Sequence, residues 1–302
     1  MSKLLKIGWI GFGVMGKSMC GHILKAGYQV NVWNRTQSKT QEAVSMGAKY
    51  LSPEEVAAAS DILFVMLGFP QDVKNMIIEE RALIKHLQPG SILVDHTTSS
   101  PSLAKELYLK CKEKGVHSID APVSGGDIGA KNGTLVTMVG GDPEPFEKAK
   151  EVMQTYSQTV KLMGSAGQGQ NTKACNQICI ANNMLGVTEA LIFGHKAGLD
   201  LNEMIKTIEG GAAGSFSLRV LGPRMLKRDF DPGFFVEHFV KDMEIILSEA
   251  RRNNLCLPGV SLVSQLYQSI MAHGGAKMGT QALLLALEDL SNLKLDNHNQ
   301  SK

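Results

Sequence analysis

Two polar segments of this 302-residue sequence hold the residue types that acid–base chemistry at a carbonyl carbon requires. One is Gly164-Ser165-Ala166-Gly167-Gln168-Gly169-Gln170-Asn171-Thr172-Lys173-Ala174-Cys175-Asn176-Gln177. Its glycines lead into a long helical pattern, so Lys173 falls in an early turn, with Asn176 three and Gln177 four positions further along the same face. An amine near a helix N-terminus and among apolar neighbours is expected to have a lowered pKa, which makes it a better proton donor near neutrality. Lysine is ordinarily a solvated surface residue, so the context singles Lys173 out. The other segment is Asp120-Ala121-Pro122-Val123-Ser124-Gly125-Gly126. Its small residues leave backbone N–H groups accessible to a carboxylate, and Ser124 adds a hydroxyl donor; the plain alternative is a glycine turn. Carbonyl reduction needs, besides the hydride, a proton donor at the oxygen, a carboxylate anchor and a water-poor cleft.

A hydride source is suggested near the start of the chain. Gly11-Phe12-Gly13-Val14-Met15-Gly16 matches G-x-G-x-x-G, follows an apolar strand candidate and opens a helix. The first glycine permits the tight turn, the second lets the backbone approach a pyrophosphate, and the third allows close helix–strand packing. The helix N-terminus then offers N–H groups and partial positive charge to phosphates. At the end of the second strand stands Trp33-Asn34-Arg35-Thr36. Asn34 fills the slot where an NAD enzyme usually carries Asp or Glu, Arg35 can pair with a 2′-phosphate, and Thr36 can donate a hydroxyl. The expected cofactor is therefore NADP(H). Two later junctions, Met66-Leu67-Gly68-Phe69-Pro70 and Asp95-His96-Thr97-Thr98-Ser99-Ser100-Pro101, are expected at the same crevice. In the second, Thr98 or Ser99 can reach the nicotinamide ribose, with helix capping as the rival explanation. His96 is read as a loop residue rather than a general acid.

These residues need elements to position them. Strand candidates lie at 7–11, 29–34, 62–67, 91–95, 117–121, 134–139 and 159–162, several of them continuous apolar runs. Helical stretches between them include 16–26, 37–46, 53–58 and 102–114. Alternating β and α units predict an α/β fold with an N-terminal Rossmann doubly wound parallel sheet. Beyond about residue 163 the strand signal stops, and helical blocks follow at 171–197, 202–207, 236–253, 259–272 and 281–290. The reading is an NADP-binding domain over 1–163 and an all-helical substrate and oligomerisation domain over 164–302, joined by a long helix. The tail after Leu295 is expected to be disordered.

Composition narrows the function further. With 31 Lys+Arg against 29 Asp+Glu, the formal charge of +2 argues against a nucleic-acid surface. The five cysteines form no CxxC pair and the eight histidines no HxxxH or HxH, so no metal site is expected. Reduced thiols in a cytoplasmic compartment are the simplest reading, with Cys175 and Cys179 packed into a core. No membrane span or signal peptide is visible, and with the first strand so near Met1 no transit peptide is expected within this sequence. Phe216, Phe230, Phe234, Phe235 and Phe239 are read as packing of the helical domain.

Taken together, residues 11–16, 120–126, 167–173 with Asn176, and Lys241-Asp242 resemble the β-hydroxyacid dehydrogenase family in order and spacing, across about residues 6–290. The resemblance implies that Lys173 is the catalytic lysine and that Ser124, Gly125 and Gly126 grip the substrate carboxylate. It also implies that the amide after Lys173 bonds substrate, that Lys241 reaches the cofactor region, and that Asp242 helps close the cleft. Substrates of the implied class are glyoxylate, succinic semialdehyde, tartronate semialdehyde and 3-hydroxyisobutyrate, and members commonly form homodimers or homotetramers through the helical domain. Two departures stand out. Some relatives carry Asn where this chain has Gln177, which leaves Asn176 and Gln177 as alternatives, and Gly279 replaces an acidic residue common near the C-terminus. A non-catalytic nucleotide-sensing protein and an imine reductase are the other readings; the first would be favoured by loss of the lysine, and imine reductases usually carry Asp or Tyr there.

Overall fold

Alternating side chains in the first strand set up two buried faces. In β1 (Lys6–Ile10), Ile7 and Trp9 join one apolar cluster and Ile10 joins another, which is the two-residue period of an extended chain. The computed structural model describes residues 5–295, so the polar tail after Leu295 lies outside the described residues. The same alternation recurs in β4 (Ile62–Val65) and β5 (Ile92–Asp95): Ile62, Phe64, Ile92 and Val94 face the first cluster, while Leu63, Val65 and Leu93 face the second. Both faces are dry, so these strands read as unbroken apolar runs.

The remaining strands are β2 (Gln29–Trp33), β3 (Lys49–Tyr50), β6 (His117–Asp120), β7 (Val123–Ser124), β8 (Leu135–Gly140) and β9 (Ser157–Gly164). The sheet runs β3-β2-β1-β4-β5-β6-β8-β7, with β9 paired to β8. Neighbours from β3 to β6 are parallel. Past β6 the expectation of a parallel sheet needs correction, because β8 runs antiparallel to both β6 and β7. The chain returns from β7 through one short helix, so β8 re-enters the sheet in the opposite direction. Strands β3 and β7 are two residues long, too short to show a period in sequence.

Helices cover both faces. Met19, Cys20 and Ile23 of α1 (Val14–Lys25) pack on the first cluster. Following α1 are α2 (Gln41–Ser45), α3 (Pro53–Ala58), α4 (Pro70–Ile77), α5 (Pro101–Glu113), α6 (Gly126–Asn132) and α7 (Pro143–Met153). Val56 and Ala57 of α3, Val73 and Ile77 of α4, and Leu103, Leu107 and Cys111 of α5 pack on the second cluster. The capping alternative holds for Ser100, whose hydroxyl accepts the Leu103 N–H ahead of Pro101 at the start of α5.

The described residues up to Ala174 form one compact unit and those from Cys175 onward another. Helix α8 (Gln168–Lys196) starts in the first and continues in the second. The second unit also holds α9 (Leu201–Ile208), α10 (Gly222–Leu226), α11 (Val236–Arg252), α12 (Pro258–Ala272) and α13 (Leu283–Leu290). Its interior includes Phe239 of α11 edge-on to Tyr267 of α12 at 5.2 Å, with the Tyr267 hydroxyl donating to Thr280 O at 2.6 Å. Phe239 is packing, as expected, but Phe216 is 54% exposed. Cys175 and Cys179 are exposed rather than packed, because α8 turns Gln177, Ala181, Met184, Thr188 and Leu191 inward instead. Among the described residues no helix is long and apolar enough to cross a membrane.

His96 is a loop residue, as read, directly after β5, but a fully buried one. Its ring stacks on Phe64 at 5.6 Å and lies 6.0 Å from Trp9. Nδ1 is 2.6 Å from Ala121 O, and Nε2 is 2.8 Å from the Tyr156 hydroxyl. A carbonyl only accepts, so Nδ1 carries the proton and Nε2 accepts from Tyr156. Burial holds this neutral ring down to a pKa of about 4. An unfolded histidine titrates near the ordinary value of about 6.5 and takes up its proton first. The contribution of neutral His96 is therefore whole above about pH 6.5 and is lost as pH falls towards about 4, by roughly 3 kcal/mol. Urea unfolding of wild type and His96→Met at pH 7.5 and pH 4.5 should show the gap between them shrinking at the lower pH. A pH-independent gap would show that the ring is not held neutral.

Candidate functional site

The sheet order reverses at β1, which has β2 on one side and β4 on the other. The carboxyl ends of the strands around that point form the crevice where open α/β sheets bind ligands. Residues 11–16 follow β1, Asn34, Arg35 and Thr36 follow β2, Leu67 follows β4, and Thr98 follows β5. Each glycine of the first turn has a distinct constraint. Gly11 has φ +103°, and a Cβ there would lie 2.1 Å from Met66 O. A Cβ on Gly16 would lie 2.2 Å from Gly11 O. A Cβ on Gly13 would meet nothing within 4 Å. The first and third glycines are thus required by the protein's own packing, whereas the second borders open space. Gly13 is the N-cap of α1 and has no side chain to cap it, which leaves the N–H groups of the first turn for a phosphate. Phe12 is buried, Met15 is half-buried and Val14 is exposed. A dinucleotide fits this cradle.

Asn34 does more than vacate an acidic slot. Its Oδ1 accepts the Phe12 N–H at 3.0 Å and its Nδ2 donates to Thr36 O at 2.8 Å, which ties the glycine turn to the end of β2. Arg35 and Thr36 stand exposed beside it. The Leu67 N–H donates to the Thr97 hydroxyl at 2.9 Å, and the Thr97 N–H donates to Asp95 Oδ1 at 2.9 Å. Thr98 is half-buried and Ser99 buried.

The second group of residues in this unit gathers at the end of β6. Ser124 is half-buried and pairs with Val136 across the β7–β8 ladder. Gly125 and Gly126 follow with φ of +130° and +63°, both exposed. Positive φ at two successive positions favours glycine strongly. Lys173 lies in the second turn of α8 and is 7% exposed, well below a typical lysine. A residue without an assigned role in the sequence reading organises this region. Asp120, at the end of β6, accepts the Gly167 N–H at 2.7 Å and the Gln170 N–H at 2.8 Å. Burial pushes its carboxyl up from the ordinary range, opposed by the N–H groups of Gly167, Gln170 and Gly169. These partners lie 47 and 50 residues away in sequence, so no local pattern announces them.

Within the second unit, four of the expected residues form one polar chain. Asn176 Nδ2 donates to Gln177 Oε1 at 2.7 Å, and Gln177 Nε2 donates to Asp242 Oδ2 at 2.6 Å. Asp242 Oδ1 lies 2.9 Å from Lys241 Nζ in a buried ion pair. Both ends of the Gln177 amide are therefore engaged inside the unit. Asn176 is half-buried.

Residues 6–164 match the family model described as the NAD binding domain of 6-phosphogluconate dehydrogenase. Residues 167–287 match the one described as NAD-binding of NADP-dependent 3-hydroxyisobutyrate dehydrogenase. An Arabidopsis thaliana protein named probable 3-hydroxyisobutyrate dehydrogenase-like 1, mitochondrial, is 52% identical over 96% of this chain and 87% of its own length. The 2-hydroxy-3-oxopropionate reductase of Escherichia coli is 37% identical over 96% of this chain and 100% of its own. The structure of Mycobacterium tuberculosis 3-hydroxyisobutyrate dehydrogenase with L-serine superposes with a TM-score of 0.86 at 25% identity, covering 94% of this chain and 99% of that one. A nicotinamide-dinucleotide-binding domain joined to a helical one, with these matches along nearly the whole length, places the chain in the β-hydroxyacid dehydrogenase family.

The glycine turn yields a test that separates folding from binding. Gly13→Ala should leave the thermal midpoint within about 2 °C of wild type, because its methyl enters open space. Dinucleotide affinity, read by titration calorimetry, should fall by about tenfold or more, since the methyl occupies the backbone's approach to the pyrophosphate. Unchanged affinity would place the dinucleotide elsewhere.

Proposed function

We propose that this chain is an NADP(H)-dependent β-hydroxyacid dehydrogenase that interconverts a small hydroxy acid and its aldehyde or keto acid. The candidate substrates are those of the glyoxylate, succinic semialdehyde, tartronate semialdehyde and 3-hydroxyisobutyrate class. The observation that carries the reading is a buried lysine, Lys173, on a helix whose first turn is hydrogen-bonded to the end of β6, the strand that leads into Ser124. When bound, the nicotinamide supplies or accepts the hydride. In the reducing direction Lys173 Nζ gives a proton to the substrate oxygen as negative charge develops on it, and in the oxidising direction the amine takes that proton back. The Ser124 hydroxyl and the Gly125 and Gly126 N–H groups hold the substrate carboxylate. Asn176 follows Lys173 by one helical turn and offers its amide to substrate, whereas Gln177 is committed to Asp242. Lys241, paired with Asp242, is the cation assigned to the cofactor in this reading.

The preference for NADP(H) rests on Asn34, Arg35 and Thr36. No carboxylate follows β2 to repel a 2′-phosphate, and an exposed guanidinium stands ready to pair with one. An NADPH preference suits reduction of an aldehyde acid.

Steady-state assay of Lys173→Ala across a panel of aldehyde and hydroxy acids should show turnover lowered by about 10²–10⁴-fold. Near-normal turnover would remove Lys173 from the reaction. Arg35→Ala should raise KM for NADPH by about tenfold to a hundredfold and leave KM for NADH nearly unchanged. Wild-type enzyme working far better with NADH would overturn the cofactor assignment.

A further inference from the structure

The first turn of α8 is fitted to the sheet with no slack. A Cβ on Gly169 would lie 2.5 Å from Met138 O, and one on Gly140 would lie 2.5 Å from Asp120 Oδ1. Both contacts fall well inside van der Waals separation, so the helix start has one seat against β6 and β8. Asp120 then fixes it there through the Gly167 and Gln170 N–H groups.

From that seat the Gln170 side chain reaches a different loop. It is 2% exposed, its Oε1 accepts the Ser99 N–H at 2.9 Å, and its Nε2 donates to Thr97 O at 2.8 Å. One planar amide thus grips the backbone on both sides of Thr98, which sets the rotation of that turn as well as its position. The turn carries the constraint further, because the Thr97 hydroxyl accepts the Leu67 N–H after β4. The cap of α5 is made separately by Ser100, so the amide is not needed to start that helix. Its bonds serve the geometry of the 97–99 turn.

We propose that Gln170 is a positioning residue for hydride transfer: its amide holds the turn around Thr98 in fixed register with Lys173, three residues further along the same helix. The inference rests on the proton-donor role proposed for Lys173 and on the expected contact of Thr98 with the nicotinamide ribose. Hydride transfer is sensitive to small displacements, and a shift of about 1 Å can cost about a hundredfold in rate. Side chains that lock loop against helix therefore act on turnover without touching the reactants.

Gln170→Met fills the same space without hydrogen bonds, and Gln170→Glu keeps an acceptor for the Ser99 N–H. Both full-length proteins would be compared with wild type by hydrogen–deuterium exchange without nucleotide, by NADP titration and by turnover with 4-deuterated NADPH. For Gln170→Met we expect faster exchange confined to residues 97–99 and turnover lowered by about tenfold to a hundredfold. NADP affinity should stay within about threefold, because the phosphate turn and Arg35 are untouched, and the primary isotope effect should rise as hydride transfer becomes more limiting. Gln170→Glu should lose less. Turnover within twofold of wild type in both variants, or a loss matched by global unfolding, would overturn the proposal, as would failure of both variants to fold. If Lys173→Ala stays active, the proton-donor assignment fails. The register with Lys173 then has no role and the positioning proposal falls with it, whereas an inactive Lys173→Ala beside an unchanged isotope effect in Gln170→Met overturns the positioning role alone.

Discussion

The Asp120 carboxylate, buried where β6 ends, holds the start of α8 against the sheet. Removing a carboxylate from water is costly, and the cost is offset here by backbone N–H groups at a helix N-terminus, where the helix dipole favours negative charge. The bond draws together pieces of chain about 50 residues apart. Ser124 lies four residues after Asp120, and Lys173 lies three residues after Gln170. One interaction therefore sets the spacing between the proposed carboxylate anchor and the proposed proton donor. Gly140 and Gly169 make that approach possible, because any larger residue at either position would push the helix off its seat.

The dinucleotide side follows a different logic. There the strand order reverses, and the glycine turn after β1 divides its duties: Gly11 and Gly16 satisfy internal packing, and Gly13 keeps space clear. Asn34 binds the turn to the end of β2 while contributing no charge. Its amide can both donate and accept, so it joins two loops where a carboxylate would only accept. Beneath the crevice, neutral His96 links the end of β5 to Ala121 and Tyr156 inside the core, so this histidine serves architecture rather than proton transfer.

In the second unit the polar residues settle into a chain. Gln177 and Asp242 hold one another, Lys241 neutralises the carboxylate, and Asn176 sits at the half-buried end. A buried charge of this kind is tolerated because every link in the chain is paired. The sequence left Asn176 and Gln177 as alternatives; Gln177 is buried with both ends of its amide engaged, and Asn176 is half-buried beside it.

Much of the architecture was legible in the linear order of residues. Continuous apolar runs marked the strands buried on both faces, the glycine fingerprint marked the phosphate turn, and the loss of strand signal marked the change to helices. These are local properties, governed by side-chain period and backbone sterics within a few residues, so sequence alone determined them. The reversed direction of β8, the burial of His96, the exposure of Cys175 and Cys179, and the reach of Asp120 and Gln170 were decided only by the tertiary structure. Each depends on partners dozens of residues away, and hydrogen bonds and burial between distant segments leave no periodic trace along the chain.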